Sequence, residues 1–248
     1  MAINLGSLVS PSKRSLFFTV ISEAGMGKTT LASLFPSPVF IRTEDGTRSI
    51  EAREDVALFP VAKSSGEVLE AIALLVTEDH KFRTVIIDSV TKLNDIIEAE
   101  VVAMDGKAKS INQAAGGYGA GYAQASGVHR EIREACGFLA EKKGMNVVFI
   151  AHADTESVDL PDQDQFSRYT IRMNKRSISH YIDNVDVVAY IKLRMFVAGK
   201  EGEKKRAGTD GSRIITCYPT PSHISKNRLG IKTDLPFTEG ENPFKAYL

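Results

Sequence analysis

Short apolar runs alternate with longer amphipathic stretches along most of this chain. The apolar residues within a run are consecutive and often β-branched, which is typical of strands buried on both faces of a parallel sheet. The predicted strands are "SLFFTVI" (15–21), "PVFIRT" (38–43), "TVIIDSV" (84–90), "NVVFIAH" (146–152) and "VDVVAYIKL" (185–193).

The stretches between these runs have the periodicity of helices. In residues 122–144 apolar side chains recur every three or four positions, and Gly144 is expected to end that helix. The other predicted helices are residues 28–35, 65–78 and 90–105. This alternation predicts a single α/β domain over residues 1–248, in which a mostly parallel sheet carries helices on both faces.

Three segments depart from the alternation. Residues 105–122 are rich in glycine, and residues 153–179 are polar and mixed in charge, so both are predicted to be surface loops. The tail predicts a C-terminal β-hairpin, in which "YIKLRMFVA" (190–198) leads through a charged turn (199–211) to "SRIITCYP" (212–219).

The composition excludes several classes of protein. Lys and Arg together number 31 and so do Asp and Glu, so a generally basic nucleic-acid-binding protein is excluded and any nucleic acid must meet a local patch. The two cysteines, Cys136 and Cys217, have no metal-ligand spacing, which favours a reducing cytoplasm. The N-terminus lacks the pattern of a signal peptide and no apolar run reaches membrane-spanning length. We therefore expect a cytoplasmic protein with no membrane partner.

A glycine-rich stretch, "SEAGMGKTT", follows the first strand and leads into a helix. It fits the phosphate-loop pattern G-x-x-x-x-G-K-[ST], except that Ser22 stands at the first glycine. Glycines let backbone N–H groups face a phosphate, the lysine reaches the outer phosphates and the threonine binds Mg²⁺. The alternative is a glycine turn that caps a helix. The predicted triphosphate-binding residues are Ser22, Glu23, Ala24, Gly25, Met26, Gly27, Lys28, Thr29 and Thr30.

Acidic residues end two of the predicted strands. Asp88 follows a buried apolar run, where an unpaired carboxylate would be costly, and Mg²⁺ shared with Thr29 is the partner we predict. The alternative is that Asp88 caps the next helix. Hydrolysis also needs a carboxylate that activates water, and the strand ending "VFIRTEDG" offers Glu44 and Asp45.

The order of these motifs resembles the RecA-type core, and in particular the short, phage-encoded RecA-core ATPases that act as single-strand-annealing recombinases. The resemblance implies ATP and Mg²⁺ as cofactors, Glu44 as the catalytic base and the host cytoplasm as the location. It also places His152, at the end of "VVFIAH", at the position of a γ-phosphate sensor that is usually Gln. Such a histidine would make the response to nucleotide depend on pH near 6–7. The alternative is an ordinary histidine at a strand end.

The same resemblance implies single-stranded DNA as a partner, bound by the two irregular loops. Aromatic Tyr118 and Tyr122 accompany the cations, while five acidic residues in the second loop oppose DNA. The alternatives are solvated loops, a nucleotide-gated assembly or helicase-accessory factor that contacts protein partners, and an ATP-binding regulator with negligible turnover. The predicted DNA-binding residues are Lys107, Lys109, Arg168, Arg172, Lys175 and Arg176.

A basic pair near the C-terminus, in "SKNRLGIKTDLPF", resembles the pair that RecA-type ATPases insert into a neighbour's nucleotide site. The resemblance implies that Lys226 and Arg228 are catalytic across an interface and that the protein is a homo-oligomer with nucleotide between subunits. It further implies single-strand-binding protein or other replication and recombination proteins as partners. The alternative is a charged surface turn.

Overall fold

The computed structural model describes residues 14–198 and 206–248, in which ten strands form one sheet and five α-helices cover it. The strands are β1 (Phe17–Ser22), β2 (Pro38–Arg42), β3 (Ala57–Val61), β4 (Thr84–Asp88), β5 (Asn146–Leu160), β6 (Gln163–Ile171), β7 (Val187–Ala198), β8 (Arg206–Thr216), β9 (Lys226–Asn227) and β10 (Leu235–Phe237). The helices are α1 (Lys28–Ser33), α2 (Ser65–Thr77), α3 (Val90–Met104), α4 (Ala120–Lys143) and α5 (Lys175–Ile182).

The strand order brings the polar strand ends together. Along the sheet the order is β10-β8-β7-β1-β5-β4-β2-β3, while β6 pairs with β5 and β9 with β7. The strands from β7 to β3 are parallel to their neighbours, so β1, β2, β4 and β5 point their carboxyl ends toward the same edge. The antiparallel β8 and β10 extend the sheet on the far side of β7. The predicted fold class is confirmed.

Both faces of the central strands are buried, which explains why their apolar residues are consecutive. In β1, Phe17 and Ile21 belong to a core under α2, α3, α4 and α5, whereas Phe18 and Val20 belong to a second core. The second core contains α1 residues and the C-terminal Phe244. Because side chains alternate between faces in a strand, two cores favour apolar residues at consecutive positions, and buried Thr19 is accommodated by donating to the carbonyl of Tyr181.

The prediction of a loop over residues 153–179 is wrong. Strand β5 continues to Leu160 and pairs with antiparallel β6, and α5 begins at Lys175. Much of this hairpin faces solvent, so its residues are polar and its only apolar signal is a two-residue alternation. Val158 and Phe166 face each other across the two strands, and both are half-buried.

Other boundaries also differ from the prediction. The short edge strand β3 was missed, because its burial alternates and it contains Pro60. The predicted β-hairpin is present, but β8 begins inside the predicted turn. Residues 105–119 remain mostly irregular before α4 begins. Residues 199–205 of the turn, and the N-terminal residues 1–13, lie outside the described part of the chain. No helix in that part is long and apolar enough to cross a membrane.

Candidate nucleotide-binding site

The turn after β1 has the backbone of a phosphate loop. Gly25 and Gly27 have φ values of 77° and 91°, in the left-handed region that favours glycine. Ser22 is not among the residues with positive φ, so this position does not require a glycine. The Ser22 hydroxyl donates to the carbonyl of Glu23 at 2.8 Å and lies 3.2 Å from the ammonium of Lys28. The one departure from the sequence pattern therefore supports the loop.

Lys28 begins α1 and its side chain turns back into the loop. Its ammonium donates to the carbonyl oxygens of Ser22 at 3.1 Å and Glu23 at 2.9 Å. Burial lowers the pKa of Lys28 to about 8, against the opposing charges of Asp88 and Glu44. The ammonium is thus held among oxygens that it can exchange for those of a phosphate.

Thr29 and Asp88 meet where α1 approaches the end of β4. The threonine hydroxyl donates to Asp88 Oδ2 at 2.8 Å, and Asp88 is only 5% exposed. Burial raises the pKa of Asp88, while this hydrogen bond lowers it. Ser89 caps α3 by accepting from the backbone of Lys92, so Asp88 is not the cap. The oxygen–oxygen separation suits two neighbouring ligands of Mg²⁺, which takes oxygens at about 2.1 Å in an octahedron.

Glu44 and His152 face each other across the same cleft. Glu44 Oε1 accepts from the Ser89 hydroxyl at 2.7 Å and lies 3.3 Å from His152 Nε2. These hydrogen bonds, the one to His152 first, lower the pKa of Glu44 to about 2. Asp45, in contrast, is 80% exposed and pairs with Arg42 at 3.5 Å. Of the two candidate bases, Glu44 is the one that lines the cleft.

The cleft has a volume of about 350 Å³ and joins residues from distant parts of the chain. Gly25, Gly27, Lys28, Thr29 and Thr30 line it together with Asp88, Glu44 and His152. Sequence reasoning missed three further lining residues, because nothing in their local sequence distinguishes them. These residues are Gly46, Ser49 and Arg213.

Two of the predicted DNA-binding segments touch each other. The Arg176 guanidinium donates to the carbonyl of Gly119 at 2.8 Å, which joins the start of α5 to the end of the glycine-rich loop. Tyr118, beside that contact, is fully exposed with φ 51°. Lys107 and Lys109 are exposed earlier in the same loop. An exposed aromatic ring therefore lies next to the residue that Arg176 contacts.

The remaining predicted cations are placed differently. Arg168 and Lys175 both pair with Glu156, at 2.8 and 3.7 Å, so one acid partly offsets two cations. Arg172 lies beside the nucleotide cleft instead, since its backbone N–H donates to the carbonyl of His152 and its charge contributes to lowering the pKa of Lys28. Arg172 is therefore the one of the six predicted cations whose charge is felt at Lys28.

Lys226 and Arg228 lie away from the cleft of their own subunit. Strand β9 pairs with the first residues of β7, at the opposite edge of the sheet from the phosphate loop. The ammonium of Lys226 donates to the carbonyls of Ile182 and Asp183, at 3.1 and 2.6 Å, and Arg228 pairs with Asp186 at 3.4 Å. If this pair acts on a nucleotide, that nucleotide must be bound to a neighbouring subunit.

Comparison with known proteins identifies a family to which this chain is similar. The model of a family described as an AAA domain (AAA_24) matches residues 14–229, which include all of the cleft residues named above. No curated protein matches the chain.

Proposed function

Because this chain belongs to the AAA domain family of P-loop ATPases, we propose that it binds ATP with Mg²⁺ and hydrolyses the bond between the β- and γ-phosphates. The observation that carries the proposal is the 2.8 Å contact between Thr29 and Asp88 beside the phosphate loop. Bound Mg²⁺ would neutralise charge on the β- and γ-phosphates. Lys28 would exchange its loop carbonyls for phosphate oxygens, and Thr29 and Asp88 would hold the ion.

Glu44 is the proposed catalytic base. Its carboxylate is ionised at neutral pH, because its pKa is about 2, and it is fixed by Ser89 and His152. It therefore accepts a hydrogen bond from the attacking water and orients it toward the γ-phosphorus. His152 shares that oxygen of Glu44, so a displacement of His152 by the γ-phosphate would move the base. This connection supports the role of a sensor.

The affinity for ATP is expected to fall as the pH rises above 8. The pKa of Lys28 is about 8 in the free site, and phosphate oxygens beside it would raise that value. Below pH 8 the lysine is already charged, so its own contribution to the affinity should be constant. Above pH 8 binding must take up a proton, so the dissociation constant should approach a tenfold rise per pH unit. Titration calorimetry in buffers of different ionisation enthalpy measures both the affinity and the proton uptake, and a flat profile would contradict the assignment.

We also propose that the ATPase acts on single-stranded DNA in recombination, promoting annealing or strand exchange. The surface formed by Tyr118, Lys175 and Arg176 supports this proposal, because an exposed ring offers a base a stacking partner and cations attract the backbone. The ATPase rate measured with and without single-stranded DNA is the direct test. Stimulation is expected, whereas an unchanged rate would favour the alternative below.

Binding of single-stranded DNA should weaken steeply with salt, because contacts to phosphates release counterions. In a Lys175→Gln/Arg176→Gln variant, the slope of log affinity against log salt should flatten by about 1.4, or roughly 0.7 for each lost contact. The matched control is Lys142→Gln/Lys143→Gln at the opposite end of α4, which should keep the wild-type slope. Anisotropy of a labelled oligonucleotide with Mg·ATP measures both. Equal slopes in all three proteins would remove α5 from the DNA-binding surface.

The second candidate function is a nucleotide-gated assembly or helicase-accessory factor that binds protein partners. The observation that favours it is the tip of the β5–β6 hairpin, where Asp159, Asp162 and Asp164 are all exposed. Three carboxylates at the exposed end of a hairpin repel DNA and suit a basic protein surface. Single-strand-binding, replication and recombination proteins are the partners whose binding to this surface should be tested.

A homo-oligomer is the proposed working form, with Lys226 and Arg228 acting on a neighbour's ATP. Arg228 is 56% exposed beside its partner Asp186, so it is accessible to another subunit. A Lys226→Ala/Arg228→Ala variant and a Lys28→Ala variant should each be inactive alone, yet regain activity when mixed. Each variant supplies what the other lacks. Absence of rescue in variants that demonstrably co-assemble would leave the pair as a charged surface turn.

A further inference from the structure

A second opening adjoins the nucleotide cleft, and Arg213 of β8 lines both of them. The second opening is a groove of about 360 Å³ along β8 and β10, to which Arg194, Pro236 and Phe237 also contribute. In the nucleotide cleft, Arg213 lies against the phosphate loop at Met26 and Gly27. The side chain of Arg213 therefore forms the boundary between the phosphate site and a groove of similar size.

Arg213 is fixed in place without being neutralised. Its guanidinium lies 4.5 Å from the centre of the Phe237 ring and donates to the carbonyl of Met26 at 3.3 Å. A Cβ on Gly27 would collide with the guanidinium, so this glycine lets the arginine approach the loop. Within residues 14–198 and 206–248 no carboxylate lies at ion-pair distance from Arg213. A guanidinium has five N–H donors, so most of them remain for a ligand.

The strand order determines which end of the nucleotide faces the groove. The groups that would act on the γ-phosphate all lie on one side of β1: Glu44 follows β2, Asp88 ends β4, and His152 lies on β5 opposite the end of β1. Strands β8 and β10 lie on the other side of β1, beyond β7. A triphosphate held over the loop after β1, with its γ-phosphate toward Glu44, therefore directs its α-phosphate and nucleoside toward Arg213.

We propose that the groove binds the base and ribose of the nucleotide and that Arg213 is the residue that contacts them. The proposal rests on the proposed function of the neighbouring cleft. Phe237 is buried and packs against the guanidinium, while Pro236 beside it is exposed, so a base in the groove can meet both Arg213 and Pro236. The free N–H donors suit the hydroxyl and ring acceptors of a nucleoside. Arg213 would then distinguish a nucleoside triphosphate from a bare polyphosphate.

The test compares Mg·ATP with inorganic tripolyphosphate, which has the phosphate chain but no nucleoside. In an Arg213→Met variant, the affinity for ATP should fall about tenfold or more, the loss expected for hydrogen bonds from a charged group. Its affinity for tripolyphosphate should change by less than about threefold, because that ligand has no nucleoside for Arg213 to contact. Methionine keeps an apolar stem over Phe237, so the melting temperature should be preserved. Lys28→Ala is the matched comparison and should weaken both ligands.

The possible outcomes distinguish a failure of the groove assignment from a failure of the ATPase proposal. Equal losses for both ligands in Arg213→Met would make Arg213 a phosphate contact and overturn the assignment of the groove. Unchanged affinity for both, with normal binding by the wild type, would overturn it too and leave the ATPase proposal standing. If the wild type bound neither ligand, the proposed function and this inference would fail together.

Discussion

A Lys28→Ala variant is expected to lose at least about 10²-fold in affinity for Mg·ATP and to show no turnover above background. In this cleft the ammonium is mostly shielded from water, so its charge-assisted contacts to phosphate oxygens are strong. The same burial lowers its pKa to about 8, which means that folding disfavours the charged form. Removing the charge should therefore leave the melting temperature at or above that of the wild type.

The measurements are titration calorimetry with Mg·ATP, steady-state phosphate release and thermal melting by circular dichroism. Lys81→Ala is the matched control, because Lys81 is an exposed lysine on the segment before β4 and outside the cleft. It should behave as the wild type in all three measurements. A folded Lys28→Ala protein that still binds ATP normally would show that the loop after β1 is not a phosphate site.

The phosphate loop could be predicted from sequence because it is one continuous stretch. Its geometry depends on two glycines in the left-handed region and on a lysine one position later, and local sequence carries both. The burial of Asp88 and its need for a partner were predictable for a related reason, since an acid after a buried strand needs a partner wherever the strand lies, and in the structure the Thr29 hydroxyl is one. Ser22, which departs from the glycine of the pattern, is part of the same stretch. Its hydroxyl contacts Glu23 and Lys28 of the loop, which explains why a serine is accepted there.

Contacts between residues that are far apart in the chain could not be predicted from local sequence. Glu44 and His152 were each identified, but their 3.3 Å approach depends on β2, β4 and β5 lying next to one another. The role of Ser89, which both caps α3 and donates to Glu44, follows from the same packing. Arg213 is more remote still, because it reaches the loop only through the antiparallel extension beyond β7.

The polar hairpin shows a different limit of sequence reasoning. Most side chains of the hairpin formed by β6 and the second half of β5 face solvent, so only a few of them need to be apolar. Composition then resembles that of a loop, although backbone pairing fixes the conformation. The same feature produces the ambiguity in function. Cations near the base of the hairpin suit DNA, while carboxylates at its tip suit a protein.

Glu44→Gln is expected to keep ATP bound and to slow hydrolysis by at least about 10²-fold, the usual contribution of a positioned base. Glutamine is nearly isosteric, and its amide oxygen can still accept from the Ser89 hydroxyl. It cannot accept a proton from water at neutral pH. It also removes a negative charge near the γ-phosphate, so affinity for ATP should stay the same or increase. The loss should therefore appear in kcat and not in KM.

Asp45→Asn is the control that separates Glu44 from its neighbour. Asp45 is exposed and paired with Arg42, so this variant should hydrolyse ATP at the wild-type rate. The reverse pattern, with Asp45→Asn slow and Glu44→Gln normal, would place the base one residue later along β2 and its turn. If neither variant changed the rate while ATP remained bound, either another group would activate the water or the turnover would be incidental. Incidental turnover would make the protein a nucleotide-binding regulator. In such a protein the 3.3 Å contact between Glu44 and His152 would transmit the presence of the γ-phosphate without activating water.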